Sequence, residues 1–425
     1  MIEPAFVFGA ALAVRLAFVA WGNIPRLPSQ LTSDDQQYHS YAVHLLEEGR
    51  YVDDAGETAR RMPGYPLFLA GVYSLFGHRA LVPVYAVQSL LESLACVALY
   101  AAARKLYGGG WGLFGGLALA ASWDLILPAG QILTEALASS LICAFLALWF
   151  LARERPALLA AGSALLWAAV CSMRPEYGLF ALVLFLLMPR LSGGALRPAH
   201  AAWAFLLFSI LLAPWPARNY LALHKFIPGC TDGDSALYGP LQEELTYLGD
   251  LPRSTPRDPG PGLSDIEQSR WYRDHAKAIL RQIPLWKIAR ARAVGLLEIF
   301  YPFHAPVFYS WRYHYDATYM FFLPLWLYAL WRWRGHRELD VVWLLLGTFC
   351  LFHLALAGDD ARFRQPLTGA LLLAATAAAK DALTLLGRKR FARWAAAYIG
   401  ANVIVGLGAG PLRDMTLWTK KALFG

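Results

Sequence analysis

The amino-acid sequence predicts an all-α, polytopic membrane protein of about eleven spanning helices, within a range of roughly 10–13, with amphipathic helices along the surface in its extracytoplasmic loops. Three observations carry that prediction. Hydrophobic residues are 57% of the 425 and charged residues only 16%, with mean hydropathy +0.40, whereas a soluble domain carries about 25% charged residues. The apolar residues fall in runs that suit a bilayer crossing, which takes roughly 20 of them per helix. Finally, 38 basic and 30 acidic residues leave a formal charge of +8. The basic residues cluster between apolar runs, a pattern of topology and not of nucleic-acid binding. Cys96, Cys143, Cys171 and Cys350 lie in apolar runs and Cys230 in a polar one, so neither a disulfide framework nor a zinc spacing can be drawn.

The first run, residues 6–21, is interrupted by Arg15 and followed by no small-residue cleavage site, so it reads as a retained span. Further runs cover about 82–103, 111–123, 126–151, 157–173, 177–188, 201–216, 318–331, 341–357, 366–379 and 392–408. The positive-inside rule assigns the short basic clusters to the cytoplasm: Arg104-Lys105, Arg153 with Arg155, Arg190 with Arg197, Arg332 with Arg334 and Arg337, and Arg388-Lys389-Arg390 with Arg393. The opposite ends then hold a first outer loop at 23–80, with juxtamembrane helices, and a large one at 217–317. Short outer turns follow at Trp123-Asp124, Arg174-Pro175-Glu176 and 359–364. Chemistry on that side faces away from ATP and nucleotide sugars. Residues 283–301 carry Lys287, Arg290, Arg292 and Glu298 within an apolar stretch. Crossing there would put Arg332 to Arg337 outside, so the stretch reads as an amphipathic helix at the outer interface. The Pro-rich 252–261 reads as loop, no internal repeat is visible, and residues 1–425 form one membrane domain.

The segment LTSDDQQYHSYAVHLLEEGRY follows the first span. Ser33 with Gln36 makes a capping box, Tyr38, Tyr41, Ala42, Leu45 and Leu46 share a helical face, and Gly49 suits the stop. Asp34 and Asp35 fall in the first turn, where the helix dipole favours carboxylates. They read either as an N-terminal charge pair or as an ionised base or metal ligand at the membrane boundary. Next, Arg60 and Arg61 precede Pro63-Gly64-Tyr65-Pro66, whose prolines fix a rigid lead-in. Two planar, permanently charged forks there suit a phosphate, with lipid head groups as the plain alternative. In QILTE, Glu135 falls in the first turns of an apolar helix, a costly place unless it is paired or faces an aqueous cavity. Asp124 reads as an ordinary interfacial residue. Arg174 with Glu176 reads as a self-neutralising pair, and Arg362 and Arg364 as phosphate or substrate contacts. His39 and His44 share no helix face, and His304 and His314 lie in an aromatic loop with Tyr309, Tyr313 and Tyr315. No Walker loop, dinucleotide fingerprint or Ser-His-Asp signal is present.

Taken in order, SDDQQYHSYA, R-x-P-G-Y-P with a following LFG, L-T-E, R-P-E and PWPARNYLALHKF resemble bacterial multi-spanning glycosyltransferases of the C-type superfamily (GT-C fold). The resemblance is to the group that includes the protein O-mannosyltransferases and the lipid A aminoarabinose transferases. It touches most of the chain from Asp34 to Pro366. It implies transfer of a sugar, hexosyl or pentosyl, from a polyprenyl-phosphate-linked donor to an extracytoplasmic glycan, lipid or protein acceptor, with inversion. It also implies a bacterial inner membrane location, which the Ala, Leu, Arg and Gly richness suits. The family's first-loop acid maps to Asp34 or Asp35 and its second-loop acid to Glu135. Its carrier-phosphate residues map to Arg61, Arg218 and Arg362 or Arg364, with Tyr38, Arg60, Tyr65, Arg174, Asn219 and Tyr220 lining the substrate. Where aminoarabinose transferases have a lysine in the corresponding pre-span segment, this chain has only arginines, which leaves the sugar open. The soluble C-terminal module of larger relatives is expected to be missing.

No cofactor is required by this chemistry, since a polyprenyl phosphate leaving group needs cationic neutralisation more than a general acid. Mg²⁺ or Mn²⁺ at Asp34 and Asp35 remains an alternative. The partners expected are the lipid-linked donor, membrane lipid and the acceptor, with no nucleic acid. Two other functions compete: a polysaccharide polymerase or ligase on polyprenyl-linked substrates, and a secondary transporter or flippase. A transporter would show paired broken helices, and the acidic pair after the first span favours the transferase.

Overall fold

Apolar runs in this sequence are cut repeatedly by proline and glycine, and the cuts decide where helices begin. The computed structural model describes residues 2–407 apart from 23, 57, 79, 261, 302, 305–313, 334, 335 and 357–360. Its first half contains α1 (Ile2–Trp21), α2 (Ser33–Glu48), α3 (Gly64–Phe76), α4 (Val82–Tyr107), α5 (Gly109–Ala120), α6 (Trp123–Ile126), α7 (Glu135–Leu151), α8 (Pro156–Cys171) and α9 (Gly178–Leu191). The second half contains α10 (Pro198–Leu212), α11 (Pro214–Leu223), α12 (Gly233–Tyr247), α13 (Asp265–Gln282), α14 (Leu285–Ile299), α15 (Ala317–Arg332), α16 (Asp340–Leu356), α17 (Thr368–Leu386) and α18 (Arg388–Leu407). A two-residue antiparallel ladder pairs Phe303 with Tyr315 and His304 with His314. Tyr309 and Tyr313, placed with them by the sequence, lie outside the described residues, as do Arg334, Asp359 and Asp360.

Among the described residues five helical segments are long and apolar enough to cross a membrane: Ile2–Trp21, Val82–Tyr107, Pro198–Leu223, Arg337–Ala355 and Ala361–Leu386. A bent pair, Gly109–Ala120 with Trp123–Gly130 at 60°, makes a sixth. Some of the apolar runs read from sequence form shorter helices. Glu135–Leu151, for instance, has 17 residues, because the run expected at 126–151 breaks at Pro128 and restarts as an α-helix only at Glu135.

α4 packs against α1, α5 and α7. Its approach to α5 is set by glycine: a Cβ on Gly116 would sit 2.8 Å from the Tyr100 Cβ, and one on Gly112 2.6 Å from the Arg104 Cβ. Small residues let two helix backbones close up where lipid supplies no hydrophobic drive. Arg15, the interruption in the first span, is fully buried and its Nε lies 3.3 Å from Oε2 of Glu92 on α4. Pairing makes this charge tolerable inside a helix bundle. α17 is enclosed by α15, α16, α4 and α5, and every residue from Thr368 to Ala379 is buried, as expected of a helix apolar all round.

The outer segments build separate, smaller cores. α12, α13 and α14 meet through Tyr238, Leu241, Leu245, Ala276, Ile279 and Ile288, while Asp250 clamps Lys287 at 2.5 Å and Arg290 at 2.6 Å. α14 leaves Leu285, Trp286 and Leu297 exposed, the amphipathic pattern expected at 283–301. α2 begins one residue earlier than the capping box read from sequence. Thr32 is the N-cap, its backbone N–H donates to Oδ1 of Asp35 at 2.8 Å, and Gly49 closes the helix at φ 65°. Ser33 itself has φ 57°, an uncommon conformation for a residue with a Cβ, and it turns the chain directly before Asp34.

Candidate functional site

A cavity of about 720 Å³ opens where seven chain segments converge. α2 contributes Asp34 and Tyr38, the loop before α3 contributes Arg60 and Arg61, and the start of α7 contributes Thr134 and Glu135. The α8–α9 turn adds Arg174 and Glu176, the start of α12 adds Asp232 and Asp234, the end of α16 adds His353, and the turn before α17 adds Arg362 and Phe363. Residues 328 positions apart in sequence thus touch: Nη2 of Arg362 donates to Oδ2 of Asp34 at 3.1 Å.

One side of the cavity is built around Asp34. Arg61 donates through Nη2 to Oδ1 of Asp34 at 2.5 Å, through Nη1 to Oδ2 of Asp232 at 3.0 Å and through Nε to Gln37 at 2.9 Å. Arg60 Nε lies 3.6 Å from Oδ1 of Asp232, and the Arg61 guanidinium sits 5.4 Å from the Tyr38 ring centroid. Burial on its own would raise the Asp34 carboxyl, but Arg61 and Arg362 outweigh it and hold the group below the usual carboxylate range. Arg60, Arg61 and Arg362 thus pair with Asp34 and Asp232, while Asp234 is held by Arg273 at 2.7 Å.

Arg174 holds a second group of charges in the cavity. Its Nη1 lies 3.0 Å from Oε1 of Glu135 and its Nε 2.7 Å from Oε1 of Glu176, and Nη1 also donates to Thr134 Oγ1 at 3.1 Å. The Phe363 ring centroid lies 5.5 Å from the Arg174 guanidinium and 5.6 Å from that of Arg362. Both guanidiniums are within cation–π reach of this one ring.

Of the residues read from sequence, Asp34, Tyr38, Arg60, Arg61, Glu135, Arg174 and Arg362 converge on the cavity. Six others do not line it. Asp35 is buried and spends Oδ1 on the backbone N–H groups of Thr32 and Gln36. Tyr65 is buried and donates to Gln88. Arg218 binds the carbonyls of Thr58 and Tyr51, at 2.6 and 2.9 Å, which ties the large outer loop to the first one. Asn219 donates to Ile227 O, and Tyr220 is exposed. Arg364 is fully buried between Asp124 and Asp316, so Asp124 is a buried counter-ion and not an interfacial bystander. A cation shared by Asp34 and Asp35 does not fit this arrangement: one carboxylate faces two guanidiniums and the other caps its own helix. Among the described residues no three His, Cys, Asp or Glu side chains are grouped to hold a metal ion.

Sequence reading passed over Asp232, His353 and Phe363 and dismissed Glu176. Asp232 carried a weak signal, a polar CTDGDS stretch inside an outer loop. His353 carried none, being one polar residue in an apolar helix, although it is 1% exposed and its Nδ1 pairs with Phe349 O at 3.0 Å.

No protein-family model matches the chain, and no curated protein does. Solved structures do match. The archaeal oligosaccharyltransferase AglB from Archaeoglobus fulgidus, in complex with an inhibitory peptide and a dolichol-phosphate, aligns over 98% of this chain and 56% of its own at TM-score 0.50 and 10% identity. An Archaeoglobus fulgidus oligosaccharyltransferase tethered to an acceptor peptide containing the NVT sequon aligns over 96% and 53% at TM-score 0.54 and 13% identity. ArnT from Cupriavidus metallidurans overlaps more loosely, at TM-score 0.40 and 15% identity over 88% and 76%, and adds nothing to the fold argument. The chain spans about half the length of the two oligosaccharyltransferase chains. The chain shares its fold with these oligosaccharyltransferase chains.

Proposed function

We propose that this protein is an integral-membrane glycosyltransferase that moves a hexosyl or pentosyl group from a polyprenyl-phosphate-linked donor to a hydroxyl or amine of a glycan, lipid or protein, with inversion. The transfer is placed on the extracytoplasmic face of a bacterial inner membrane. The observation that carries the reading is the arginine-rich side of the cavity, where Arg60, Arg61 and Arg362 surround Asp34 and Asp232. The fold supports it, since one solved protein of this fold is in complex with a dolichol-phosphate and another is tethered to an acceptor peptide.

The chemistry follows from charge. In the donor the phosphate is a diester with one negative charge, and cleavage of the sugar–oxygen bond leaves a monoester with two. A group whose charge grows in the transition state is stabilised by preorganised cations in a partly dry site. Arg61 and Arg362 are preorganised in that sense, because Asp34 holds the two forks side by side until a phosphate takes its place. Guanidinium forks match phosphate oxygens two at a time. The acceptor attacks the anomeric carbon from the opposite face, its proton going to a cavity carboxylate.

The test uses purified protein, polyprenyl phosphates carrying tritium-labelled mannose, glucose or arabinose, and native membranes as acceptor source. Transfer of label by the wild-type chain and its loss in the Arg61→Ala, Arg362→Ala double variant are expected. No transfer from any donor, with the folded protein recovered, would end the reading.

A further inference from the structure

His353 stands in the last turn of α16, an apolar helix long enough to cross a membrane, and it lines the cavity although it is 1% exposed. A polar group in such a helix is costly unless it is paired or serves an aqueous cavity. His353 is half paired. Its Nδ1 lies 3.0 Å from the carbonyl oxygen of Phe349, one turn back on the same helix. A carbonyl oxygen only accepts, so Nδ1 carries the proton, and in the neutral ring Nε2 is left with a bare lone pair. Nε2 has no hydrogen-bond partner among the described residues, yet unlike Oε1 of Glu92 it is not sealed away without one. With Nδ1 turned toward its own helix, Nε2 sits on the outer edge of the ring.

The surroundings of that edge are aromatic. The His353 ring centroid lies 3.9 Å from that of Phe349, 5.5 Å from that of Phe352 and 5.4 Å from that of Phe363. Phe352 and Phe363 are only partly buried, and both line the cavity with it. Phe363 is also the ring next to Arg362, 5.6 Å from its guanidinium, so the patch adjoins the arginine that reaches Asp34. An aromatic wall with one fixed acceptor suits a neutral polyol. The C–H edges of a sugar ring rest against aromatic faces, whose π electrons are negative, and a hydroxyl donates to the acceptor. A phosphodiester has no hydrogen to donate and does not suit it.

Resting on the proposed glycosyl transfer, we infer that His353 reads the donor sugar. With the phosphate held at Arg61 and Arg362, the glycosyl group lies against Phe352 and Phe363, and one of its hydroxyls donates to Nε2 of His353. The Phe349 carbonyl sets the tautomer and holds the ring, so the acceptor is in place before the sugar arrives. A donor lacking that hydroxyl leaves a buried acceptor unpaired. Sites of this kind reject a missing hydroxyl far better than an apolar pocket rejects an extra one.

The experiment measures kcat/KM for the wild type, His353→Phe and His353→Gln with polyprenyl phosphates carrying mannose, glucose or arabinose. It then uses the monodeoxy analogues of whichever sugar the wild type transfers. In the wild type one analogue is expected to lose about 10- to 100-fold against the intact sugar, the value of a buried acceptor left unpaired. His353→Phe is expected to bring the intact sugar down to the level of that analogue and to leave the analogue itself unchanged. His353→Gln, whose amide oxygen accepts, should restore part of the difference. Binding of polyprenyl phosphate without a sugar should be equal in all three proteins. Equal losses on every donor, or discrimination unchanged in His353→Phe, overturn the inference and leave the glycosyl-transfer reading standing. If His353→Phe does not fold, His353→Gln decides: reduced discrimination at one deoxy position supports the assignment, and a uniform loss overturns it. Absence of transfer by the wild type from all of these donors overturns both.

Discussion

Arg362 and Arg364 stand two residues apart on the same turn and lead opposite lives. Arg364 is fully buried, with Nε and Nη2 on Asp124 at 3.2 and 3.1 Å, Nη2 also on Asp316 at 3.3 Å, and Nη1 on the carbonyls of Ile299 and Tyr301. Its guanidinium also lies 3.6 Å from the Tyr319 ring centroid. Every face of that fork is spent on holding α6, α14, α15 and the turn before α17 together. Arg362, 31% exposed at the side chain, reaches Asp34 across an open cavity. Both are arginines beside a membrane-facing helix start, so residue type does not separate them. What separates them is whether the partner carboxylates can be replaced by an incoming anion. Asp124 and Asp316 are sealed in, while Asp34 faces a space large enough for a phosphate.

The comparison can be broken most severely at Arg364. Arg364→Ala leaves Asp124 and Asp316 buried without their cation, which costs about 3–5 kcal/mol, and thermal unfolding in detergent should register it as a large fall in Tm or as lost folded protein. An unchanged Tm would place Arg364 outside the load of the fold. Arg362→Ala should do the reverse. The fold stays intact while binding of polyprenyl phosphate weakens by the value of a charge-assisted contact, about 1.5–3 kcal/mol, measured by titration of the purified protein. Equal losses of Tm in the two variants would erase the distinction drawn here. The smallest effect is expected one residue from Asp34. Asp35→Asn removes a carboxylate from the N-terminus of α2, worth about 0.3–1 kcal/mol, and should leave polyprenyl phosphate affinity unchanged, because Asp35 serves the helix start and not the cavity. A change in affinity as large as that of Arg362→Ala would return Asp35 to the site.

Much was legible before any coordinates. The first acidic helix, its Gly49 stop, the Arg60-Arg61 pair, Glu135, Arg174 and the Arg362 turn were each visible as charged residues where an apolar run begins or ends, and a charge at such a boundary must be either paired or used. The register of the acidic pair was not legible. Asp34 and Asp35 are equivalent in spacing, and only the turn at Ser33 sends one to the cavity and the other to the Thr32 backbone. Arg218 misled for a similar reason, since an interfacial arginine can reach a ligand or a carbonyl, and here, from within α11, it reaches two carbonyls of the first outer loop.

Composition and run length by themselves determined a helical membrane protein, because the bilayer forces every backbone polar group to be satisfied within helices. The placement of basic clusters determined a topology reading on the same grounds. Only the tertiary structure decided which charges meet. Asp34 with Arg362, Glu135 with Arg174, Arg15 with Glu92 and Arg364 with Asp124 join residues 39 to 328 positions apart. Charge balance is a property of what surrounds a group in space, through a distance and a dielectric that no spacing in the chain encodes. A cavity that gathers Arg61, Arg174 and Arg362 with Asp34, Glu135 and Glu176 exists only once the helices are packed.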